Sequence, residues 1–236
     1  MIKKGILFSF LLLISATLFA QRERVENLPT FDDRKIHYGF YLGINQNDFK
    51  LNIRNSNILG DADISVEPTF GFNVGLIAEL RLHKNLSIRL EPGLVSNSKN
   101  IIFNHLTTSS NPRDSIREIG STYLHFPVVF KFSTDRYRNI RPYVLAGISY
   151  DYNFSSNEKT QDDNSAGQFR MTTSNFMYEV GMGIDIYLNF FKFSPSIRGV
   201  FAINNEIVYD NDPNSKWTAP VNFMGTRGVF LNFAFE

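Results

Sequence analysis

Eight charged residues sit where ordinary strands keep apolar ones: Glu79, Arg81, Arg89, Glu91, Lys131, Glu179, Asp185 and Arg198. Two acid–base pairs lie two residues apart, Glu79 with Arg81 and Arg89 with Glu91, a spacing that puts both members on one face of a β-strand. Such a set can do one of two things. Carboxylates held close together can share acid and base roles in catalysis, or carboxylates and cations can neutralise one another in a buried network. The surrounding sequence favours the network, because no nucleophile accompanies the charges. There is no G-x-S-x-G, and no order of Ser, His and Asp that makes a triad. His37, His83, His105 and His125 are scattered without the spacing of metal ligands. The acidic stretches "QDDN" (161–164) and "DNDPN" (210–214) lack a full calcium loop and read as turn chemistry. "GMG" (181–183) precedes no helix and cannot cradle phosphate. The expectation is a chain with no catalytic residues, no cofactor and no metal.

The elements that must position these charges are strands. In "IHYGFYLGIN" (36–45), Ile36, Tyr38, Phe40, Leu42 and Ile44 are bulky and alternate with smaller or polar residues. The pattern returns at 70–83, 86–96, 121–132, 141–154, 175–188, 191–204 and 227–236, which makes eight strands. Many are longer than the usual globular strand and suit a tilted membrane crossing. If the bulky faces pointed inward on all eight, they would overfill an eight-stranded barrel, whose interior just holds side chains. They must face lipid. The opposite face holds Gly39, Gly43, Gly71, Gly75, Gly93, Gly147, Gly181, Gly183 and Gly228 together with the eight charges, and this small, charged face is the lumen. A lumen so filled leaves no aqueous channel.

The connections support the same architecture. Strands 2–3, 4–5 and 6–7 are joined by "KN", "STDRYRNI" and "NF", whereas the links after strands 1, 3, 5 and 7 are polar and run roughly 20 residues. Short turns at one end, long loops at the other and an even strand number describe an all-β, eight-stranded antiparallel outer-membrane β-barrel, an up-and-down meander with both termini on the periplasmic, short-turn side. Residues 1–20, with Lys3 and Lys4 ahead of "GILFSFLLLISATLFA", read as a secretory signal peptide cleaved near Ala20. Residues 21–35 form a periplasmic segment and 36–236 the barrel. The absence of cysteine excludes a lipid-modified N-terminus and disulfides. A formal net charge of +1 offers no footprint for nucleic acid. Aromatic residues reach 14%, with 23 Phe and 10 Tyr, as expected for contact with outer-membrane lipid.

The segment "ERVENLPTFDDRKIHYGFYLGINQNDF" (23–49), followed by "YLHFPVVFKF", "RPYVLAGISYDY" and "YEVGMGIDIYL", resembles the PorT family of outer-membrane β-barrels, found in Gram-negative bacteria that use type IX secretion. The resemblance covers nearly the whole chain after the signal, and its most specific part is "NLPTFDDRKIHYGFYLGINQNDF". It implies a part in exporting cargo proteins across the outer membrane, often coupled to gliding motility, with other components of the export machinery as partners. It implies no enzymatic residues, cofactor or small-molecule substrate. A generic barrel serving adhesion or envelope integrity is the alternative reading, and a barrel enzyme acting at the surface is a third.

Three further expectations follow. Leu28, Pro29, Phe31, Asp32 and Asp33 precede the first strand without alternation or helical period, and should hang in the periplasm where a partner could read them. Leu76 and Val180 should face lipid, with Ser87 near the lumen rim. Glu91 should pair with Arg81 or Arg89.

Overall fold

The structure is a computed structural model that describes residues 26–54, 63–106, 115–160 and 169–236. The signal-peptide reading, residues 21–25 and the "QDDN" stretch therefore lie outside the described residues. Ten strands follow in chain order: β1 (Ile36–Ile53), β2 (Ile64–Pro68), β3 (Phe70–His83), β4 (Leu86–Leu90), β5 (Gly93–Phe103), β6 (Ile116–Ser133), β7 (Ile140–Asn153), β8 (Ser174–Tyr187), β9 (Lys192–Ala202) and β10 (Val221–Phe235). All pairings are antiparallel, and β1 pairs with β10 on one side and β3 on the other, which closes the sheet into a barrel.

The ten strands form a ring of eight, as the alternation implies. β4 and β5 are one wall strand interrupted at Glu91 and Pro92, because proline has no N–H to give the ladder. The ladder continues across the break through Leu76 N–H to Pro92 O (2.9 Å) and Glu91 N–H to Pro127 O (3.2 Å). β2 and β3 are likewise one strand broken at Thr69, whose hydroxyl donates to Ser98 O. Hairpins of a few residues join β3 to β4, β6 to β7 and β8 to β9 at one end, called here the short-turn end.

The outward face is apolar in a continuous band. Ile36, Tyr38, Phe40, Leu42 and Ile44 on β1 are exposed, as are Phe70, Phe72, Val74, Leu76, Leu80 and Leu82 on β3, and Val180 on β8. Paired aromatics border the band at both rims, with Phe40–Phe235 (stacked) and Phe193–Phe235 (tilted) near the short-turn end and Tyr150–Phe176 (tilted) and Tyr178–Phe201 (stacked) near the loop end.

Several strands outrun this band, which corrects the strand ends and loop lengths expected from sequence. β1 and β6 are each 18 residues long, against the ~9–11 that cross a bilayer. Beyond Ile44 the outward positions of β1 become Gln46, Asp48, Lys50 and Asn52, while the inward ones remain Asn47, Phe49, Leu51 and Ile53. The outward partner has changed from lipid to water, so the bulky outward alternation that marks a membrane strand disappears although the strand goes on. "ISVEP", "NSKNIIF", "IREIG" and "VNFMG", taken as loop, are wall for the same reason.

The glycines of the inner face make room for large side chains lying across them. A Cβ on Gly75 would come within 2.5 Å of the Tyr41 ring, and one on Gly183 equally close to Tyr143. Both tyrosines are buried.

Candidate functional site

The inward-facing side chains are arranged in layers from the short-turn end to the loop end. Alternation alone puts them there, since residues i and i+2 share a face. The charged layers form one continuous chain. Lys131 contacts Asp185 at 2.7 Å and Glu79 at 3.6 Å; Glu79 meets Arg89 at 3.1 Å; Arg89 meets Glu91 at 3.3 Å. Glu91 then meets Arg198 through two contacts, 2.5 and 3.0 Å. Arg198 reaches Glu179 at 3.8 Å, and Glu179 reaches His125 at 3.1 Å. His125 ends the chain on Asp151 at 2.7 Å. Seven of the eight charges singled out from sequence are in this chain.

Arg81 is not. It lies half-buried at the short-turn mouth, near Glu79, Lys84 and Arg141, so it is not the partner of Glu91. The chief partner is Arg198, across the lumen, with Arg89 second, because sequence neighbours two apart on a strand do not decide what meets across a barrel. Ser87, expected near the lumen rim, lines the same short-turn mouth. It is buried and donates to Glu79 at 2.8 Å.

Four members of the network were missed in the sequence reading. His125 and Asp151 complete the chain, and Lys192 (2.9 Å) and Arg89 (2.6 Å) both hold the Glu236 side chain. Parity could have found all four, since each lies an even number of residues from an inward charge or glycine on its own strand or, for Glu236, on the strand it directly follows. His125 was set aside because it lacks metal-ligand spacing; what it has instead is a carboxylate on each ring nitrogen. That geometry suits an imidazolium donating from both nitrogens and leaves no lone pair to accept a proton from a neighbouring hydroxyl. Chemically the arrangement neutralises charge in the barrel interior.

Above the charges lies an amide layer. Asn73 donates to Asn232 at 2.7 Å and Asn97 to Asn45 at 3.1 Å, all four buried. Near the loop end the lining becomes apolar. Phe49, Ile64, Ile101, Phe103, Ile119, Val221 and Met224 from the overhanging wall pack with Phe169, Met171 and Ile207 from the loops. Among the described residues, this apolar cap closes the loop end of the lumen.

The other mouth is closed by the segment ahead of β1. The expectation that this segment hangs free is corrected for residues 26–35. The chain makes a 3-10 turn at Phe31–Asp33 and folds against the short-turn end. Phe31 stacks on His37 with ring centres 4.6 Å apart and meets Tyr187 edge-on at 6.1 Å. His37 returns a hydrogen bond to Phe31 O at 2.9 Å. The Asp32 carboxylate accepts from the Tyr187 hydroxyl at 2.9 Å and faces Arg141 at 3.4 Å and Arg136 at 3.8 Å. Arg136 also donates to the carbonyls of Asn27 and Leu28. Leu28 carries a positive φ of 50° that turns the chain inward. Phe31 and Asp32, offered as contacts for a partner, are engaged by their own barrel, whereas Pro29 and Asp33 stay exposed.

The "DNDPN" loop is held together by its own bonds. Asp210 faces Arg170 at 3.4 Å and accepts from Ser215 and Thr218, and Asp212 accepts from Asn214 N–H at 2.9 Å as a local turn. Among the described residues no group of three or more His, Asp or Glu could hold a metal ion.

Among curated proteins no sequence matches. Among solved structures, the outer membrane protein OprG of Pseudomonas aeruginosa is similar at 12% identity, over 85% of this chain and 93% of its own, with a TM-score of 0.44. Neisserial surface protein A is similar at 12% identity, over 83% of this chain and 95% of its own, with a TM-score of 0.43. The family model described as outer membrane protein beta-barrel domain matches residues 19–208. With that match spanning most of a closed barrel whose apolar band faces outward and whose charges pair inside, the chain belongs to the family of outer-membrane protein β-barrel domains.

Proposed function

We propose that this outer-membrane barrel is a non-enzymatic accessory component of a protein-export machine, of the type IX secretion class associated with gliding, and that it acts by binding partners at its two ends. The observation that carries the partner-binding part is the closed lumen. Among the described residues the charges pair within it, the cap packs one end and the strap of residues 26–35 covers the other, so no conduit through the lumen is left. Function then falls to the surfaces. The export part rests on the resemblance of residues 23–49 to the PorT family. In this reading the termini and short turns are periplasmic and the loops lie outside the cell, and no cofactor, nucleic acid or small-molecule substrate is involved.

A deletion strain tests the export reading. Cargo bearing the type IX signal should accumulate in the periplasm and disappear from the medium, with return of secretion on complementation. Normal export together with a leaky or less adhesive envelope would instead support the generic-barrel alternative. Orientation is tested separately, by protease applied to intact cells: a cleavage site placed at Asp212 should be cut, and a tag following Glu236 should be protected.

A further inference from the structure

Where the wall overhangs the membrane band, β1 beyond Gln46 and β2 have no ladder to each other among the described residues, and two further shoulders arise where long strands outlast shorter neighbours. On one, β10 outlasts β9, and residues 205–206 cover its edge: Glu206 N–H donates to Met224 O (2.8 Å), Met224 N–H to the Asn205 side chain (2.9 Å) and Thr226 N–H to the Glu206 carboxylate (2.9 Å). On the other, β6 outlasts β7. The ladder between them begins at Tyr123 opposite Asn153, with one more bond from Phe154 N–H to Thr122 O at 2.9 Å. That bond shows that the even-numbered residues of β6 point their backbone groups toward β7, since successive residues of a strand point to opposite neighbours. After Phe154 the loop turns inward, with Ser156 buried and its carbonyl taken by Met171 N–H (2.8 Å). Among the described residues nothing pairs with the N–H and C=O of Ile116, Glu118 and Gly120, while the odd residues Arg117, Ile119 and Ser121 hold their places in the ladder with β5.

We infer that the edge of β6 from Ile116 to Gly120 is a β-augmentation site that accepts an extended peptide strand from another protein. Unpaired strand edges are templates for a further strand, and proteins that have no use for one blunt or cover it. Among the described residues the equivalent edge of β10 is covered and this one is not. Gly120 is a second, independent mark. A Cβ built on it meets nothing within 4 Å, unlike the inner-face glycines, so the glycine is not required by its own fold. Glycine within a strand marks a bulge, a tight bend or a place where another backbone approaches closely, and the ladder with β5 runs through Gly120 without a register shift. A second copy in the same membrane does not fit. Strands tilt ~35–45° from the barrel axis, so facing strands of copies related by a two-fold axis along the membrane normal cross at about twice that angle and cannot form a ladder. The strap cannot reach, being at the opposite end of the barrel. The site stands without the export reading; with the orientation proposed above, it faces the outside of the cell.

The test uses the full barrel in lipid nanodiscs, with amide hydrogen exchange read by NMR and a synthetic peptide of alternating threonine and valine as probe. In the protein alone, the amides of Glu118 and Gly120 should exchange freely while Arg117 and Ile119 are protected. Saturating peptide should slow Glu118 and Gly120 by about tenfold or more. Gly120→Pro removes the N–H on the open side without touching the ladder to β5 and should abolish that protection; Gly120→Ala should preserve it. If Gly120→Pro loses its heat-modifiable barrel, Glu118→Pro makes the same test one rung away. Amides already protected without peptide would mean that the chain covers its own edge, and would overturn the proposal. So would a peptide that leaves them unchanged, or proline variants that bind like the parent.

Discussion

Replacing Glu91 by leucine removes the carboxylate on which two buried cations converge, and the structure says which of them suffers. Arg89 keeps Glu79 at 3.1 Å and Glu236 at 2.6 Å, so its charge remains matched. Arg198 loses contacts of 2.5 and 3.0 Å and keeps only Glu179, at 3.8 Å and shared with His125. Breaking a buried pair from one side costs about 3–5 kcal/mol, and the residual attraction of Glu179 places Glu91→Leu near the lower figure. With a slope of about 2 kcal/mol per molar urea, the unfolding midpoint of the barrel, followed by loss of the heat-modifiable gel band, should fall by about 1.5 M. Adding Arg198→Met removes the stranded charge as well. Because apolar replacement of a whole buried pair is often neutral, the double variant should recover to within about 1 kcal/mol of the parent. An unchanged midpoint for Glu91→Leu, or a double variant no better than the single, would refute the reasoning that the lumen is held by matched charge.

On the lipid face, Leu42→Arg places a cation within the apolar band and should reduce insertion by about 2–4 kcal/mol if it lies near mid-depth. Gln46→Arg, on the same strand and face but past the band, should insert normally; equal defects would mean the band is misplaced. Gly147→Ala drives a Cβ to 2.7 Å from the Val129 Cα and against the Val128 carbonyl. It should destabilise by about 1–3 kcal/mol, measured by the same urea transition. Phe31→Ala with Asp32→Ala should release the strap, seen as faster tryptic cleavage at Arg34 and Lys35 while the barrel band persists; unchanged cleavage would mean that these two side chains do not hold it.

Much of the barrel was legible in the sequence because its physics is one-dimensional. Strand periodicity is two, so the bulky set of 70–83 and the glycines between announce two unlike faces, and short turns alternating with long loops announce the ring. Which face meets lipid followed from size alone. Where the strands stop was not legible. On β1 the outward side chains change from Ile44 to Gln46 at the edge of the membrane band while the backbone continues to Ile53, and no residue type distinguishes a strand in water from a polar loop. The strap was misread for a related reason. Phe31 and Asp32 have no period to reveal them, and their partners His37, Arg136, Arg141 and Tyr187 come from three other parts of the chain.

The charged lumen shows the same division. That Glu79, Arg89, Glu91, Lys131, Glu179, Asp185 and Arg198 share one face was determined by parity, and so, had it been applied throughout, was the place of His125, Asp151, Lys192 and Glu236. Who pairs with whom was decided only by closure of the sheet. Register between neighbouring strands, the curvature of the wall and the reach of a guanidinium across the lumen bring Arg198 of β9 to Glu91 at the break between β4 and β5. These are distances through space between residues more than a hundred positions apart, and a strand's own alternation carries no information about them.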